Sequence, residues 1–527
     1  MALTRPTTGL EPYAGLTAYA GDLHNHCGIS YGHGSIETAF ANARQQLDFA
    51  SVTGHAAWHD IPDEPAAVRD YHVEGFARLA SQWEHVQEVT AAVHEDHAFV
   101  SFLSFEWHSL AYGDHCVYFR ADHAPLEISQ AASLEELREH LRAFERSGVP
   151  ALALPHHIGY HSGRRGINWS TYTEEFAPVI ELVSMHGAGD DEPGPRAYLH
   201  TMGPRDGAST AQHGLSLGHT FGFIGSTDHH SAHPGSHGYG RAMVWADALT
   251  REGIWSALRA RRTYAVTGDR ILLATSVNGA PMGAEIRADG SRRIEVDVLG
   301  GDRVDYVEVL RNNEVIARER PTPDPGRQGT FDGVLAFSVG WGEHGVAVDW
   351  DVEAIVHGGR IQSVDPRLHG EDVVDPTRTS DAAEGPTSRW EQKDAHTVAL
   401  RTRTTGNPTV MTDGTQQLGL LVVGDDDTVL EVRANGLVVR RSVAELRRGS
   451  HTAYTGGFLS PAVLLHRAAD EDARRVRLEV TDPGSGEERD WYYARVRQVN
   501  DQYAWSSPTW VTRAGAGSAA EQQEGGR

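Results

Sequence analysis

The sequence has almost no lysine and very little cysteine, and both shortages exclude whole classes of chemistry. Lys393 is the only lysine, so 46 of the 47 basic residues are arginine. No G-x-x-x-x-G-K-[ST] phosphate-binding loop can therefore exist, and only Lys393 could form a Schiff base. The two cysteines, Cys27 and Cys116, cannot build a disulfide scaffold or a zinc site of several thiolates.

The sequence also lacks long hydrophobic runs and an excess of positive charge. No segment approaches the roughly 18 apolar residues of a membrane-spanning helix, and residues 1–23 lack the basic and apolar parts of a secretory signal. The formal charge of −25 would repel nucleic-acid backbones and anionic membrane surfaces. We therefore expect a cytoplasmic protein that binds neither membranes nor nucleic acids. The sequence carries no indication of its oligomeric state.

Histidine, in contrast, is abundant and unevenly distributed. Of 30 histidines, 24 precede residue 241 and six follow it. Histidine is the commonest metal ligand and a ready proton carrier, although any single histidine can simply be solvated. A chain of 527 residues is too long for one ordinary domain, so this distribution indicates a functional first half and a different second half.

The first half alternates between strand and helix patterns. Apolar or β-branched runs predict buried strands at residues 47–52, 99–105, 116–119, 151–154, 179–183 and 221–224. Longer stretches predict helices at residues 35–46, 66–94, 133–146 and 250–262. Such alternation predicts an α/β barrel or sheet that is mostly parallel.

Polar residues follow the strands of this predicted sheet. The successive motifs are Asp22-Leu23-His24-Asn25-His26, Thr53-Gly54-His55, Glu106-Trp107-His108, Pro155-His156-His157, Ser184-Met185-His186-Gly187 and Asp228-His229-His230. Because the carboxyl ends of parallel strands share one face, we expect these motifs to meet. Alternate residues of an extended strand point the same way, so His24 and His26 can reach one ion. A mixed nitrogen and oxygen set of this size predicts two or three divalent ions of Mn, Zn or Fe.

Taken together, these motifs resemble in order those of the PHP superfamily, which is named for polymerase and histidinol phosphatase. The resemblance covers about residues 18–268. More narrowly, the chain is similar to bacterial PHP proteins that have a C-terminal β region and a largely unassigned function. The resemblance implies a distorted (β/α)7 barrel with a trinuclear metal centre.

The resemblance also implies an assignment of ligands to three ions. The first ion would take His24, His26, Glu106 and Asp228. The second would take Glu106, His156 and His186, with His157 as the alternative to His156. The third would take His33, His55 and His230, where His33 belongs to a glycine-rich segment.

Such a centre would activate water for hydrolysis. Glu106 and Asp228 are the expected catalytic carboxylates, His157 is a candidate for proton transfer, and Arg164 or Arg165 could hold the oxygens of an anionic substrate. The leading hypothesis is a phosphoesterase that acts on a small phosphorylated molecule. The alternatives are a hydrolase of C–N, C–O or sulfate ester bonds, and a non-catalytic binding protein stabilised by its metals.

After Gly268 the hydrophobic pattern changes to period two. Alternation at residues 293–298 and 306–310, with a turn at residues 311–314, predicts an all-β, sandwich-like region. We therefore divide the chain into a metal-dependent hydrolase barrel at 1–268, a β-sandwich-like part at 269–362, a loop or linker at 363–389, further strands at 390–513 and a disordered tail at 514–527. We expect the β region to pack on the barrel and stabilise it.

Overall fold

The computed structural model describes residues 3–5, 7–194, 204–322, 329–371, 387–406 and 414–514. The helices of the first half are α1 Ile36–Gln46, α2 Ala66–Val93, α3 Leu134–Arg146, α4 Ala211–Ser216 and α5 Arg251–Arg259. The described residues of the second half contain α6 Val443–Arg448 and α7 Glu471–Arg474. None of these described helices is both long enough and apolar enough to cross a membrane.

Strands make up most of the remaining regular structure. Those of the first half are β1 Thr17–Asp22, β2 Phe49–Ser51, β3 Gly54–Trp58, β4 Val100–His108, β5 His115–Phe119, β6 Ala151–Pro155, β7 Val179–Ser184, β8 Gly187–Ala188, β9 Gly222–Gly225, β10 Arg241–Ala246 and β11 Thr263–Val266. The six strands and four helices predicted for this half are confirmed, with ends that differ by a few residues.

The second half consists almost entirely of strands. They are β12 Leu272–Val277, β13 Ala280–Pro281, β14 Glu285–Arg287, β15 Arg292–Leu299, β16 Val304–Arg311, β17 Glu314–Glu319, β18 Thr330–Trp341, β19 Ala347–His357, β20 Arg360–Arg367, β21 Ser388–Gln392, β22 Thr397–Thr405, β23 Gln416–Asp425, β24 Val429–Ala434, β25 Leu437–Ser442, β26 His451–Tyr454, β27 Pro461–Leu465, β28 Ala469–Asp470, β29 Arg475–Asp482, β30 Arg489–Gln498, β31 Tyr503–Ser506 and β32 Thr509–Thr512. The predicted hairpin is confirmed as β16 and β17, whose turn residues Asn312 and Asn313 have φ of 52° and 71°.

Strand pairing in the first half is mixed and not uniformly parallel. β1, β2 and β4 pair in parallel, and β3 pairs in parallel with the end of β4. β5 is antiparallel to both β4 and β6, while β10 is antiparallel to β1 and β11. The α/β class of this half is therefore confirmed, whereas the (β/α)7 barrel implied by the family resemblance is not.

Strands from the end of the chain extend the sheet of the first half. β31 pairs with β11, and β30 pairs with both β31 and β16. One sheet of fourteen strands therefore continues from β6 across residue 268 into the β region. A second sheet, formed by β13, β12, β15 and β29, shares a buried core with it that includes Trp245, Tyr264 and Val298.

A separate sandwich lies in the chain between β17 and β29. Its two sheets have the orders β20-β23-β18-β27-β26 and β21-β22-β19-β24-β25, and both contribute to one buried core. Within the predicted linker, residues 363–367 are the end of β20 and residues 388–389 begin β21, while residues 372–386 lie outside the described residues. In the predicted tail, residues 515–527 also lie outside the described residues.

A buried carboxylate, Asp269, joins the inserted sandwich to the first half. Its Oδ1 lies 2.8 Å from Nε2 of His237 and 3.1 Å from Nε of Arg367 in β20. Its Oδ2 accepts hydrogen bonds from Gln498 at 2.7 Å and from Asn500 at 2.8 Å. Burial raises the pKa of Asp269, but Arg367 and His237 outweigh burial and hold that pKa well below its ordinary value. Four separate chain segments are thus connected by one ionised side chain.

A chain that ends at residue 268 is expected to aggregate. Without β31, the edge of β11 would be unpaired, and core residues such as Trp245 and Tyr264 would lose part of their cover. The matched control is a chain that ends at residue 514, because it keeps every described strand. Size-exclusion chromatography and circular dichroism measure the outcome. A soluble, folded 1–268 fragment would instead support the division at residue 268.

Candidate metal centre

Two adjacent chain segments bring four of the predicted site residues together. Beyond β1, residues 24–26 run parallel to residues 228–230, which follow β9. The N–H of Asp228 donates to the carbonyl oxygen of His24 at 2.7 Å, and the N–H of His26 donates to that of His229 at 2.7 Å. This pairing brings the side chains of His24, His26 and Asp228 together, with the ring of His230 4.5 Å from that of His26.

His24, His26 and Asp228 form a tight group of donor atoms. Nε2 of His24 lies 3.0 Å from Nε2 of His26, and Oδ1 of Asp228 lies 3.3 Å and 3.0 Å from these two nitrogens. Oε2 of Glu106 lies 3.9 Å and 3.5 Å from the same two nitrogens. Neighbouring ligands of a tetrahedral ion with bonds of roughly 2.0–2.1 Å are about 3.3 Å apart, so this spacing suits one ion.

Glu106 connects this group to three more imidazoles. The pairing of β3 with β4 places His55 beside Glu106, and Nδ1 of His55 lies 2.6 Å from Oε2 of Glu106. Nε2 of His156, directly after β6, lies 2.8 Å from Oε1 of Glu106, and Nδ1 of His108 lies 3.3 Å from the same oxygen. Each of these four side chains belongs to a residue that is at most 2 % exposed.

Three further predicted histidines lie around this centre. Nε2 of His186 lies 2.7 Å from Oδ2 of Asp228. The ring of His230 lies 4.5 Å from that of His26, measured between centroids. The ring of His157 lies 4.4 Å from that of His156 and 5.1 Å from that of His186. Of the two adjacent histidines, His156 is therefore the one whose ring contacts Glu106, whereas the ring of His157 lies beside the ring of His156.

Two predicted site residues lie at the edge of the cluster. His33 is partly exposed, and its backbone N–H donates to the carbonyl oxygen of His230 at 2.8 Å. Arg164 is exposed, whereas the side chain of Arg165 is only 13 % exposed. The structure thus brings Arg165 into the cluster and leaves Arg164 on its outside.

Arg165 is held over the cluster by several contacts. Its Nε lies 2.5 Å from Oδ2 of Asp114, and its Nη2 lies 2.9 Å from Nδ1 of His108 and 3.9 Å from Oε1 of Glu106. Its Cζ lies 4.9 Å from the ring centroid of Trp58, a cation–π distance. Within the described residues, Arg165 is the arginine whose guanidinium lies closest to the Glu106 carboxylate, at 3.9 Å.

The sequence analysis missed two buried carboxylates, Asp114 and Glu181. Oδ2 of Asp114 lies 3.0 Å from Nδ1 of His108, and Oε2 of Glu181 lies 2.8 Å from Nδ1 of His24. The second contact holds the His24 ring with Nε2 towards Asp228. The available signals were Asp114 just before β5, His115 at its start and a lone charge within the apolar strand β7.

The electrostatics of the cluster favour ionised carboxylates and a neutral His55. Burial raises the pKa of Glu106, but the imidazoles of His108, His55 and His156 outweigh burial and hold it well below its ordinary value. The pKa of Asp228 is likewise held well below its ordinary value, because His24 and His186 outweigh the effect of burial. Burial, together with the neighbouring His26, holds the pKa of His55 well below its ordinary value. Ionised carboxylates and a neutral His55 are the forms that bind metal ions.

Burial lowers the pKa of His24, but Asp228 outweighs burial and holds that pKa well above its ordinary value. Burial and His24 likewise lower the pKa of His156, but Cys116 and Glu106 raise it to about 10, so a metal ion would displace a proton from each of these two imidazoles.

Three site residues have an unusual backbone conformation. Asp228 has a φ of 53°, His157 a φ of 56° and Arg165 a φ of 68°, in the left-handed region that glycine favours. Such conformations cost about 1–3 kcal/mol each and are concentrated at functional sites. Asp228 follows β9 and His157 follows β6, so these two conformations occur where the chain leaves a strand and enters the cluster.

The donor set fits divalent metal ions. Nε2 of His55, Nδ1 of His26 and Nδ1 of His157 are buried without a hydrogen-bond partner, which is costly unless something binds there. Ligand atoms within 4.8 Å of one another occur in the groups His24–His26–Asp228, His26–His55–His230 and Glu106–Asp114–His156–His157. Mixed imidazole and carboxylate groups of this kind suit Zn, Mn or Fe. The described clusters could therefore hold metal ions.

Comparison with known proteins yields similarities to parts of the chain. The model of a family described as "Protein of unknown function (DUF3604)" matches residues 235–279. An uncharacterized protein of Chlamydia pneumoniae is 28 % identical over 174 residues, which is 29 % of this chain and 28 % of that protein. An uncharacterized protein of Chlamydia trachomatis serovar D is 23 % identical over 205 residues, which is 36 % of this chain and 32 % of that protein. The chain thus matches less than a third of the length of these curated relatives.

A distant likeness to one solved structure is also found. The crystal structure of a two-domain protein from Bacteroides vulgatus, named as containing a predicted PHP-like metal-dependent phosphoesterase, is 15 % identical to this chain. The match covers 62 % of this chain and 85 % of that one with a TM-score of 0.33. A likeness this low supports no conclusion about fold or activity.

Replacing Glu181 by Gln is expected to weaken metal binding about 10- to 100-fold. The amide would remove the negative charge that orients Nδ1 of His24, although it has nearly the same shape. Titration of the metal-free protein with Zn²⁺ or Mn²⁺, followed by calorimetry, measures the affinity. The control is Glu139→Gln, an equivalent change on the exposed face of α3. Equal affinities of the two variants would contradict this role for Glu181.

Proposed function

We propose that this chain is a metal-dependent hydrolase, and more specifically a phosphoesterase that acts on a small anionic substrate. The observation that carries the proposal is the meeting of Glu106 and Asp228 with imidazole nitrogens at 2.6–3.5 Å inside a buried cluster. A structural metal site is usually closed by four ligands, whereas this cluster offers more donors than one ion can use. The surplus of ligands supports two or three ions and a catalytic role.

The proposed ligands follow the contacts around the two carboxylates. His24, His26, Glu106 and Asp228 would hold the first ion, and Glu106, His156 and His186 the second. His33, His55 and His230 would hold a third ion. The proximity of His55 and His230 supports this third site, whereas His33 is partly exposed and supports it less. When bound, divalent ions supply Lewis acidity that makes water acidic enough to act as a nucleophile near neutral pH.

The side chains of the cluster would bind and orient the substrate. Arg165 presents a guanidinium next to His108 and Glu106, where it can hold the oxygens of a phosphoryl group by charge-assisted hydrogen bonds. The carboxylate of Asp114 accepts a hydrogen bond from Nε of Arg165 and so fixes the orientation of the guanidinium.

His157 would move the proton. Its buried Nδ1 has no hydrogen-bond partner, and burial together with the neighbouring His156 holds its pKa well below the ordinary value. The low pKa keeps the ring neutral but also makes it a weak base, so its candidacy for proton transfer rests on its position beside His156 and His186.

Metal content and turnover are expected to be lost together when Glu106 or Asp228 is removed. The wild-type chain, purified without chelators or a histidine tag, should contain two or three equivalents of Mn, Fe or Zn by inductively coupled plasma mass spectrometry. Asp228→Ala and Glu106→Ala should contain clearly less metal and hydrolyse p-nitrophenyl phosphate at least 100-fold more slowly. Asp427→Ala, an exposed change in the inserted sandwich, is the control. Wild-type protein that cannot be loaded with metal would refute the proposal.

Removing Arg165 is expected to affect anionic substrates selectively. Arg165→Ala should lower kcat/KM for p-nitrophenyl phosphate about 100-fold and leave that for neutral p-nitrophenyl acetate within about threefold, because only the phosphate needs the guanidinium. Arg164→Ala is the matched control, since Arg164 is the exposed neighbour.

Thermal unfolding must accompany the measurement because Arg165→Ala leaves Asp114 without its cation. Arg165→Lys preserves that charge but not the planar fork, and should recover stability more than activity. An equal loss of activity for both esters would favour the alternative of a hydrolase that does not select anions.

A further inference from the structure

One side of the buried cluster is covered by partly exposed aromatic rings. We call Trp58, Tyr71, His72 and Phe76 the aromatic wall, because all four are partly exposed while the neighbouring His55 and His108 are buried. The ring centroid of His108 lies 5.6 Å from that of Trp58 and 6.0 Å from that of Phe76. Only one layer of rings therefore separates this side of the cluster from solvent.

Trp58 is fixed although it is partly exposed. Its indole Nε1 donates to Oδ1 of Asp60 at 3.0 Å. The same carboxylate accepts from the backbone N–H of Leu110 at 2.9 Å and of Ala111 at 2.9 Å. Arg165 lies over the indole at 4.9 Å. A surface ring that serves only to fill space does not need such anchoring, whereas a preorganised binding platform does.

The other rings of the wall come from α2, whose close approach depends on a glycine. A Cβ at Gly75 would lie 2.5 Å from Cδ1 of Tyr31, so a larger residue would push α2 away. Tyr31 is stacked on His55, with centroids 3.4 Å apart and an interplanar angle of 8°. It also lies 4.7 Å from the ring of His72. Tyr31 therefore lies between the rings of the helix and His55, a proposed metal ligand.

We infer that the site takes phosphoesters in which a planar aromatic group is attached to the phosphate. This inference rests on the proposed function, since it names the substrate class of the same site. Arg165 would hold the phosphate, and the wall would stack on the aromatic group next to it. The guanidinium of Arg165 lies next to the indole of Trp58. In an aryl phosphate the phosphate and the aromatic ring are equally close to each other, so one substrate could contact both side chains.

The test measures binding and does not depend on turnover. The full chain, loaded with Mn²⁺, is titrated by calorimetry with phenylphosphonate and with methylphosphonate, two anions that cannot be hydrolysed as esters. We expect wild-type protein to bind phenylphosphonate about tenfold more tightly. Trp58→Ala should lose this preference, and Trp58→Phe should keep most of it.

The controls separate a local effect from a general one. Tyr454→Ala removes a tyrosine that is 65 % exposed on the inserted sandwich and should keep the preference. If Trp58→Ala does not fold, Phe76→Ala on α2 replaces it. Equal affinity of wild-type protein for the two phosphonates, or a preference that survives in the wall variants, would overturn the inference. Failure of the proposed function would appear separately, as absence of loaded metal or of phosphoester hydrolysis.

A second pair of ligands identifies the kind of ring. Adenosine 5′-monophosphate and ribose 5-phosphate differ by a nucleobase. A preference for the former that accompanies the preference for phenylphosphonate, and that Trp58→Ala abolishes as well, extends the wall to nucleobases. A preference confined to phenylphosphonate assigns the wall to aryl groups attached directly to the phosphate, whereas a preference confined to the nucleotide would contradict the inference.

Discussion

Glu106 imposes the constraint on which the arrangement of the first half depends, because a carboxylate that is 1 % exposed must have its negative charge balanced. His55, His156 and His108 surround it, and Arg165 lies at 3.9 Å. The histidines cannot all be protonated, since Nε2 of His24 and Nε2 of His26 are only 3.0 Å apart. Two lone pairs at that distance require a proton or a cation between them. Divalent ions satisfy the carboxylates and the imidazoles at once, which is why a metal centre accounts for the cluster better than a network of histidine protons does.

Strands of the second half extend the sheet from which the cluster residues project. β31 pairs with β11, and the sheet continues through β10 to β1, after which His24 and His26 follow. Asp269 connects β20 of the inserted sandwich to His237, which lies a few residues after the site residues Asp228 and His230. The β region therefore contacts the first half through backbone pairing and through several buried ion pairs, which also include Arg495 with Asp190 at 2.9 Å and Arg270 with Asp48 at 2.8 Å.

The sequence predicted which side chains come together better than it predicted the topology. Histidines and carboxylates at the end of β4 and after β1, β6, β7 and β9 could be recognised because residues at the carboxyl ends of parallel strands converge. Asp114 was missed because β5 is antiparallel, so the beginning of that strand lies at the cluster. Glu181 was missed because it lies inside the apolar strand β7 and not at its end. The pairing of β11 with β31 leaves no local pattern, since it joins residues more than 200 positions apart in the sequence.

The backbone strain at Asp228 and His157 shows how the fold favours position over local stability. Each φ above 50° costs about 1–3 kcal/mol for a residue with a side chain. Asp228 is held in place by the hydrogen bond from its N–H to His24, and the carbonyl oxygen of His157 accepts from the N–H of Tyr160 at 3.1 Å. These two hydrogen bonds do not by themselves explain why the side chains of Asp228 and His157 point into the cluster. These strained conformations persist because the surrounding sheets fix both strand ends. The extended β pairing therefore stabilises the strained segments that carry the ligands.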